Sequence, residues 1–187
     1  MNGAVLPEKK LGGVVMERTQ KIPPKARAFM VCLLGAGYAL DAARGQVFDG
    51  VKACLERMRI VADIVLLTNL NVRSAYSEWN FHGLPPCTAM CIKRRELAHC
   101  VSELLTRGYD RQKVLVVGFG PQCHAAAEKN GVLFYPILPG QEAMSWHSLE
   151  EEALPKLLHG TYAGDYQRRL MARHTAAMIQ ATPPEEK

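Results

Sequence analysis

Apolar positions along this chain fall into two periods. Residues 29–34, Phe-Met-Val-Cys-Leu-Leu, are an unbroken apolar run of strand length, as expected for a strand buried on both faces. Val114–Val117 reads the same way, Asp63–Leu67 and Leu133–Ile137 are further predicted strands, and Thr88–Ile92 predicts a shorter one. Between these runs the spacing becomes helical. Over 48–58, Val51, Cys54, Leu55 and Met58 share one face; over 95–107, Leu97, Val101, Leu104 and Leu105 do so, closed by Gly108. Val72–Phe81 and Gln122–Asn130 are predicted helices, the second stopped by Gly131, in the position glycine favours after a helix. Ser148–Leu158 and Gly164–Gln180 complete the set. Glu150, Glu151 and Glu152 are expected in a first turn, where the helix dipole favours acids.

Strands alternating with helices predict an α/β fold, a mainly parallel sheet with right-handed crossovers and helices on both faces. Ligands of such sheets bind beyond the carboxyl ends of the strands, so the loops at 32–37, 68–71 and 118–124 matter most. Residues 1–25 read as an N-terminal arm or edge element, ended by Pro23-Pro24. Its apolar patches, Val5-Leu6 and Val14-Val15-Met16, have no assigned place in the sheet. Residues 26–181 form the expected α/β domain and 182–187 a frayed tail. A chain of 187 residues suits one such domain.

Composition narrows the function classes. A net charge of +5 comes from scattered basic residues and short pairs such as Arg94-Arg95, with few aromatics between them. That is a solvated surface rather than a nucleic-acid groove, although its field mildly favours anions. No apolar stretch approaches the ~20 residues of a membrane span. No apolar run follows Lys9 and Lys10, so no secretory signal is expected. Six cysteines, at 32, 54, 87, 91, 100 and 123, read as free thiols of a cytoplasmic protein.

Two constellations are visible in the residues themselves. Gly35-Ala36-Gly37 and Gly118-Phe119-Gly120 each follow a strand, and glycines there either let backbone N–H groups approach a phosphate or simply turn the chain. Neither completes a dinucleotide fingerprint. Cys32 and Cys123 are predicted at neighbouring strand tips, beside His124 and near Cys87 and Cys91. Such groups could hold zinc, or pack as small hydrophobes. Trp79 and Trp146 read as packing residues.

Four segments then stand in a telling order: Cys32-Leu33-Leu34-Gly35-Ala36, Leu66-Leu67-Thr68-Asn69, Lys93, and Gly118-Phe119-Gly120-Pro121-Gln122-Cys123. This order resembles the haloacid dehalogenase-like hydrolases, most of which are phosphatases. The likeness runs over residues 26–180 and includes Phe134–Ile137, Pro139–Glu142, Ser145-Trp146 and Gly160–Tyr166. It implies a Rossmann-type α/β fold with little or no cap domain.

In that family the first segment carries two aspartates, a nucleophile and an acid/base group, which together with acids of the fourth segment hold Mg²⁺. Here Cys32 and Leu34 occupy the first pair of positions, and Phe119 and Cys123 the second. Leucine transfers no proton, and a thiolate is a poor ligand for a hard cation. The matching phosphate-binding positions are Thr68, Asn69, Lys93 and Gly35; a threonine there could equally cap a turn. The resemblance therefore implies a module that has lost phosphatase chemistry, needs no cofactor, and keeps an anion pocket for phosphate or a small phosphorylated ligand. It would act in binding, regulation or structure, as a homo-oligomer or beside a protein partner, with no nucleic acid and no membrane. The alternative is an active phosphohydrolase or phosphotransferase with Cys32 as nucleophile and Thr68 and Lys93 on the phosphate, which requires a depressed thiol pKa.

Overall fold

The strands and helices follow the two apolar periods closely. In a computed structural model, which describes residues 14–15, 27–34, 40–41, 45–68, 72–86, 89–92 and 96–181, β1 (Val14–Val15) and β2 (Phe29–Leu34) come first. A short antiparallel hairpin of β3 (Leu40–Asp41) and β4 (Gln46–Val47) follows. Helix α1 (Val51–Val61) leads to β5 (Ala62–Thr68), α2 (Val72–Phe81) and β6 (Ala89–Ile92). Next are α3 (Leu97–Leu105), β7 (Val114–Gly118), α4 (Pro121–Asn130) and β8 (Leu133–Pro136). The last described elements are α5 (Glu142–Ser148), α6 (Leu154–Leu158) and α7 (Asp165–Ala181). A wide π turn, Leu149–Ala153, joins α5 to α6 without a break.

Six strands make one sheet in the order β1-β6-β5-β2-β7-β8, every neighbouring pair parallel. After the edge strand β1, the chain enters the centre of the sheet in β2, builds outward through β5 to β6, which pairs with β1, then continues on the other side of β2 through β7 and β8. This is the doubly wound, Rossmann-like α/β arrangement. Its switch point lies between β2 and β7, where strand order reverses and a crevice opens at the carboxyl ends.

The period of two along each strand divides the core into two layers. Val31 and Leu33, Ile64 and Leu66, Leu115 and Val117, and Leu133 and Tyr135 face a layer made with α1, α2, α5, α6 and the start of α7. Their sequence neighbours Met30, Val65, Leu67, Val114, Val116 and Phe134 face α3 and α4. Each fully buried large aliphatic stabilises the fold by about 1.5–3 kcal/mol relative to exposure. Helix α7 packs on β8. Tyr166 and Leu170 join the first layer and Met171 packs against the second, so α7 covers the sheet edge that β8 would otherwise leave open.

Three sequence expectations need correction. The helix expected from Ser148 begins at Glu142. Ser148 already has helical backbone angles, φ −65° and ψ −31°. A serine followed by three glutamates imitates a helix start, but these glutamates serve side-chain pairs. Arg57 of α1 reaches Glu150 at 3.5 Å and Glu151 at 3.2 Å, and Lys156 reaches Glu152 at 3.8 Å. Helix α1 starts at Val51 rather than Phe48, because Gly50 holds φ 84°, a conformation that ordinary residues avoid. Finally, Val14–Val15 does have a place in the sheet: it pairs with Ala89 and Met90 at the far edge. The β3–β4 hairpin had no counterpart in the sequence reading. Among the described residues no helix is long and apolar enough to cross a membrane.

Candidate functional site

Strand register brings the ends of four strands into line. Leu34 is level with Leu67, and Leu67 with Cys91; one step further, Thr68 pairs with Ile92. On the other side Leu33 is level with Val117, so Gly118 closes β7 at the height of Leu34. The carboxyl edge thus carries Leu34, Thr68, Ile92 and Gly118 on adjacent strands. Gly35, Asn69 and Lys93, the residues that follow three of these ends, lie outside the described residues, as do Gly37, Cys87 and residues 1–13.

Cys32 and Cys123 do not stand at neighbouring strand tips. Cys32 is level with Val65 and Val116, two residues short of the end of β2. At ~3.3 Å per residue this is about 7 Å below the edge. Cys123 lies within α4, 3% exposed, in the apolar layer formed with Val116 and Phe134. His124 is half-buried with its ring 5.4 Å from that of Phe134. Among the described residues no three His, Cys, Asp or Glu side chains converge as metal ligands.

The turn into α4 is built for tightness. Phe119 is half-buried, Gly120 adopts φ 84°, and Pro121 opens the helix at a position where its missing N–H costs nothing. Ile137 N–H donates to the Gly118 carbonyl at 3.0 Å, holding the segment after β8 against this turn. Beyond that segment a cleft of about 450 Å³ separates Gln46–Asp49 from Gly140–Met144. Asp49 and Glu142 line it, with Phe48 and Met144 as apolar walls. The sequence singled out Pro139–Glu142 but gave no sign of its neighbour across the cleft, since the hairpin leading into Phe48 and Asp49 was not foreseen.

Among the described residues the buried carboxylates, Asp63 and Glu150, lie elsewhere. Asp63, 2% exposed, sits near the amino end of β5. It accepts from the Arg27 backbone N–H at 2.8 Å and the Tyr109 hydroxyl at 2.6 Å, a structural role. Glu150 pairs with Arg57 beside α1. Among the described residues, the titratable groups driven from their ordinary range are in or against the layers. Burial pushes up the Cys54 thiol and the Tyr135 and Tyr162 phenols, and lifts Tyr166 to about 12. Burial and the Asp63 carboxylate raise Tyr109, while burial and His124 lower His174.

Comparison with known proteins gives little. No family model matches the chain, and no curated protein does. A crystal structure of a hypothetical protein from Xanthomonas campestris is similar at 14% identity, over 82% of this chain and 95% of that one, with a TM-score of 0.45. At that distance it bears on neither family nor function.

Proposed function

We propose that the protein is a haloacid dehalogenase-like domain without phosphatase chemistry, which binds phosphate or a small phosphorylated ligand at the carboxyl edge of its sheet. The observation that carries this reading is the register. Three of the four segments singled out in the sequence begin on the parallel strands β2, β5 and β7 and the fourth, Lys93, follows β6 in the sequence; the ends of these adjacent strands at Leu34, Thr68, Ile92 and Gly118 lie side by side. Thr68 would donate its hydroxyl to a phosphate oxygen, and Lys93, one residue past the end of β6, would neutralise its charge as a point cation. Gly35 and Asn69 would border the anion. Leu34 and Phe119 offer no oxygen to a divalent metal, so the pocket suits a bare anion.

The same register weighs against Cys32 as an attacking thiolate, because its backbone lies about two residues, roughly 7 Å, below the edge where the anion would sit. Thermal melts test the proposal. Phosphate or sulfate at millimolar concentration raises the melting temperature, and Mg²⁺ alone does not. Magnesium-dependent phosphomonoester turnover at ~1–10³ s⁻¹ that is lost in Lys93→Ala would overturn it.

A further inference from the structure

Helix α7 buries a histidine against β8 for which no counter-charge is found among the described residues. His174 is 4% exposed, and its Nε2 meets no hydrogen-bond partner among the described residues. Its ring stands edge-on to Phe134 of β8, with 5.8 Å between centroids. The His124 ring of α4 packs on the same phenyl at 5.4 Å, so two histidines from different helices share one aromatic ring.

Among the described residues the one charged group that acts on His174 is His124, of like sign; Glu152 of the π turn acts on the neighbouring Tyr135 and Tyr166 instead. Strand β8 contributes Phe134 and Tyr135 and no ionic group. From α4 the titratable group that acts on His174 is His124. On α7 itself the nearby cations are Arg169 and Arg173; Arg173 acts on Tyr135 and Tyr166, and Arg169 on Tyr166. A neutral imidazole is tolerated in such a place. An imidazolium there would be a buried charge without a partner, facing a second histidine.

We propose that α7 is a pH-operated latch, seated on the β8 edge while His174 is neutral and released when His174 takes a proton. Burial and His124 keep the folded imidazole below its ordinary value of 6.5. A depressed histidine supports docking fully above that pH, and the support is lost as pH falls from 6.5 toward the folded value. Release uncovers β8 and one flank of α4, the helix that opens at the Gly118–Gly120 turn. Acidification would thus loosen the support behind the carboxyl edge.

Hydrogen exchange on the full chain tests this, with rates corrected for the intrinsic effect of pH. Between about pH 7.5 and 5.5, peptides from α7 should lose protection severalfold, up to about tenfold, while those from α3 keep theirs. His174→Phe should keep α7 protected at both values. His124→Gln should make the acid-induced loss of α7 protection smaller, because it removes one of the influences that hold the docked imidazole below its released value. Equal protection of α7 at both pH values, or the full loss persisting in His174→Phe, would overturn the latch. If His174→Phe does not fold, the ring resonance of wild-type His174 decides: a titration midpoint below 6.5 supports the latch and one at or above 6.5 refutes it.

Discussion

The Tyr162 hydroxyl donates to the backbone carbonyl of Phe134 at 2.7 Å, across 28 residues of chain. This bond ties the turn before α7 to the last strand of the sheet. Tyr135, the next residue, makes a similar tie in the other direction, donating to the Ser145 carbonyl of α5 at 2.6 Å. The Ser145 hydroxyl in turn accepts from Leu138 N–H at 3.0 Å. Two phenols and one serine therefore fasten α5 and the turn before α7 to β8 and the segment that follows it.

Tyr162→Phe removes one of these fastenings and leaves the ring in place. The expected cost is about 1–2 kcal/mol, because a buried carbonyl loses its donor. For a chain of this size that lowers the melting temperature by a few degrees. A melt identical to wild type would mean that the hydroxyl contributes nothing to stability.

Asp63 and Tyr109 should behave as a coupled pair. Asp63→Ala strands the Tyr109 hydroxyl and the Arg27 N–H together, and costs more than Tyr109→Phe. A double-mutant cycle by urea unfolding should give a coupling of about 1 kcal/mol or more. Simple additivity of the two losses would break the link.

Alkaline titration reads the phenols. Burial raises Tyr135, Tyr162, Tyr109 and Tyr166 above the ordinary value of 10. For an acid with a raised folded pKa, the stabilising contribution is complete below pH 10 and declines as pH climbs through the folded values. Absorbance at 295 nm near pH 10.5 should therefore report fewer phenolates in the folded protein than in urea. Equal readings would contradict the burial of these side chains.

Cys54 should be inert. It lies fully buried on α1, where burial and then the Glu150 carboxylate of the π turn push its thiol upward. Iodoacetamide at pH 8 should modify it only after denaturation, as peptide mass spectrometry would show. Rapid modification of the native protein would mean that the α1 layer opens readily.

The anion reading predicts a specific loss. Thr68→Ala and Lys93→Ala should each remove most of the stabilisation that phosphate confers, without lowering the melt in its absence. The triple change Cys32→Asp, Leu34→Asp and Phe119→Asp should reverse the preference and produce a Mg²⁺ response. If Mg²⁺ alone already raises the wild-type melt by several degrees, Asp41 or Asp49 supplies the missing oxygen ligands and the metal-free proposal fails.

The unbroken apolar runs at 29–34 and 114–117 determined by themselves that these strands are buried on both faces, because side chains alternate sides whatever the strand's neighbours are. Helical spacing likewise determined α1 and α3, whose apolar faces are the ones that bury. Thr68, Lys93 and the Gly118–Gly120 turn could be nominated from the chain, but their strands' adjacency could not. That depends on the β6-β5-β2-β7 pairing, a choice among partners far apart in sequence. Tertiary structure also decided the sites where local signals pointed wrongly. The glutamates after Ser148 found Arg57 and Lys156 instead of a helix terminus, and Val14–Val15 became a strand only through Ala89 and Met90. Cys32 fell below the edge because register, not composition, sets how far each strand runs. Periodicity is written in neighbouring residues, whereas pairing, register and the covering of β8 by α7 arise from contacts that form only when distant segments meet.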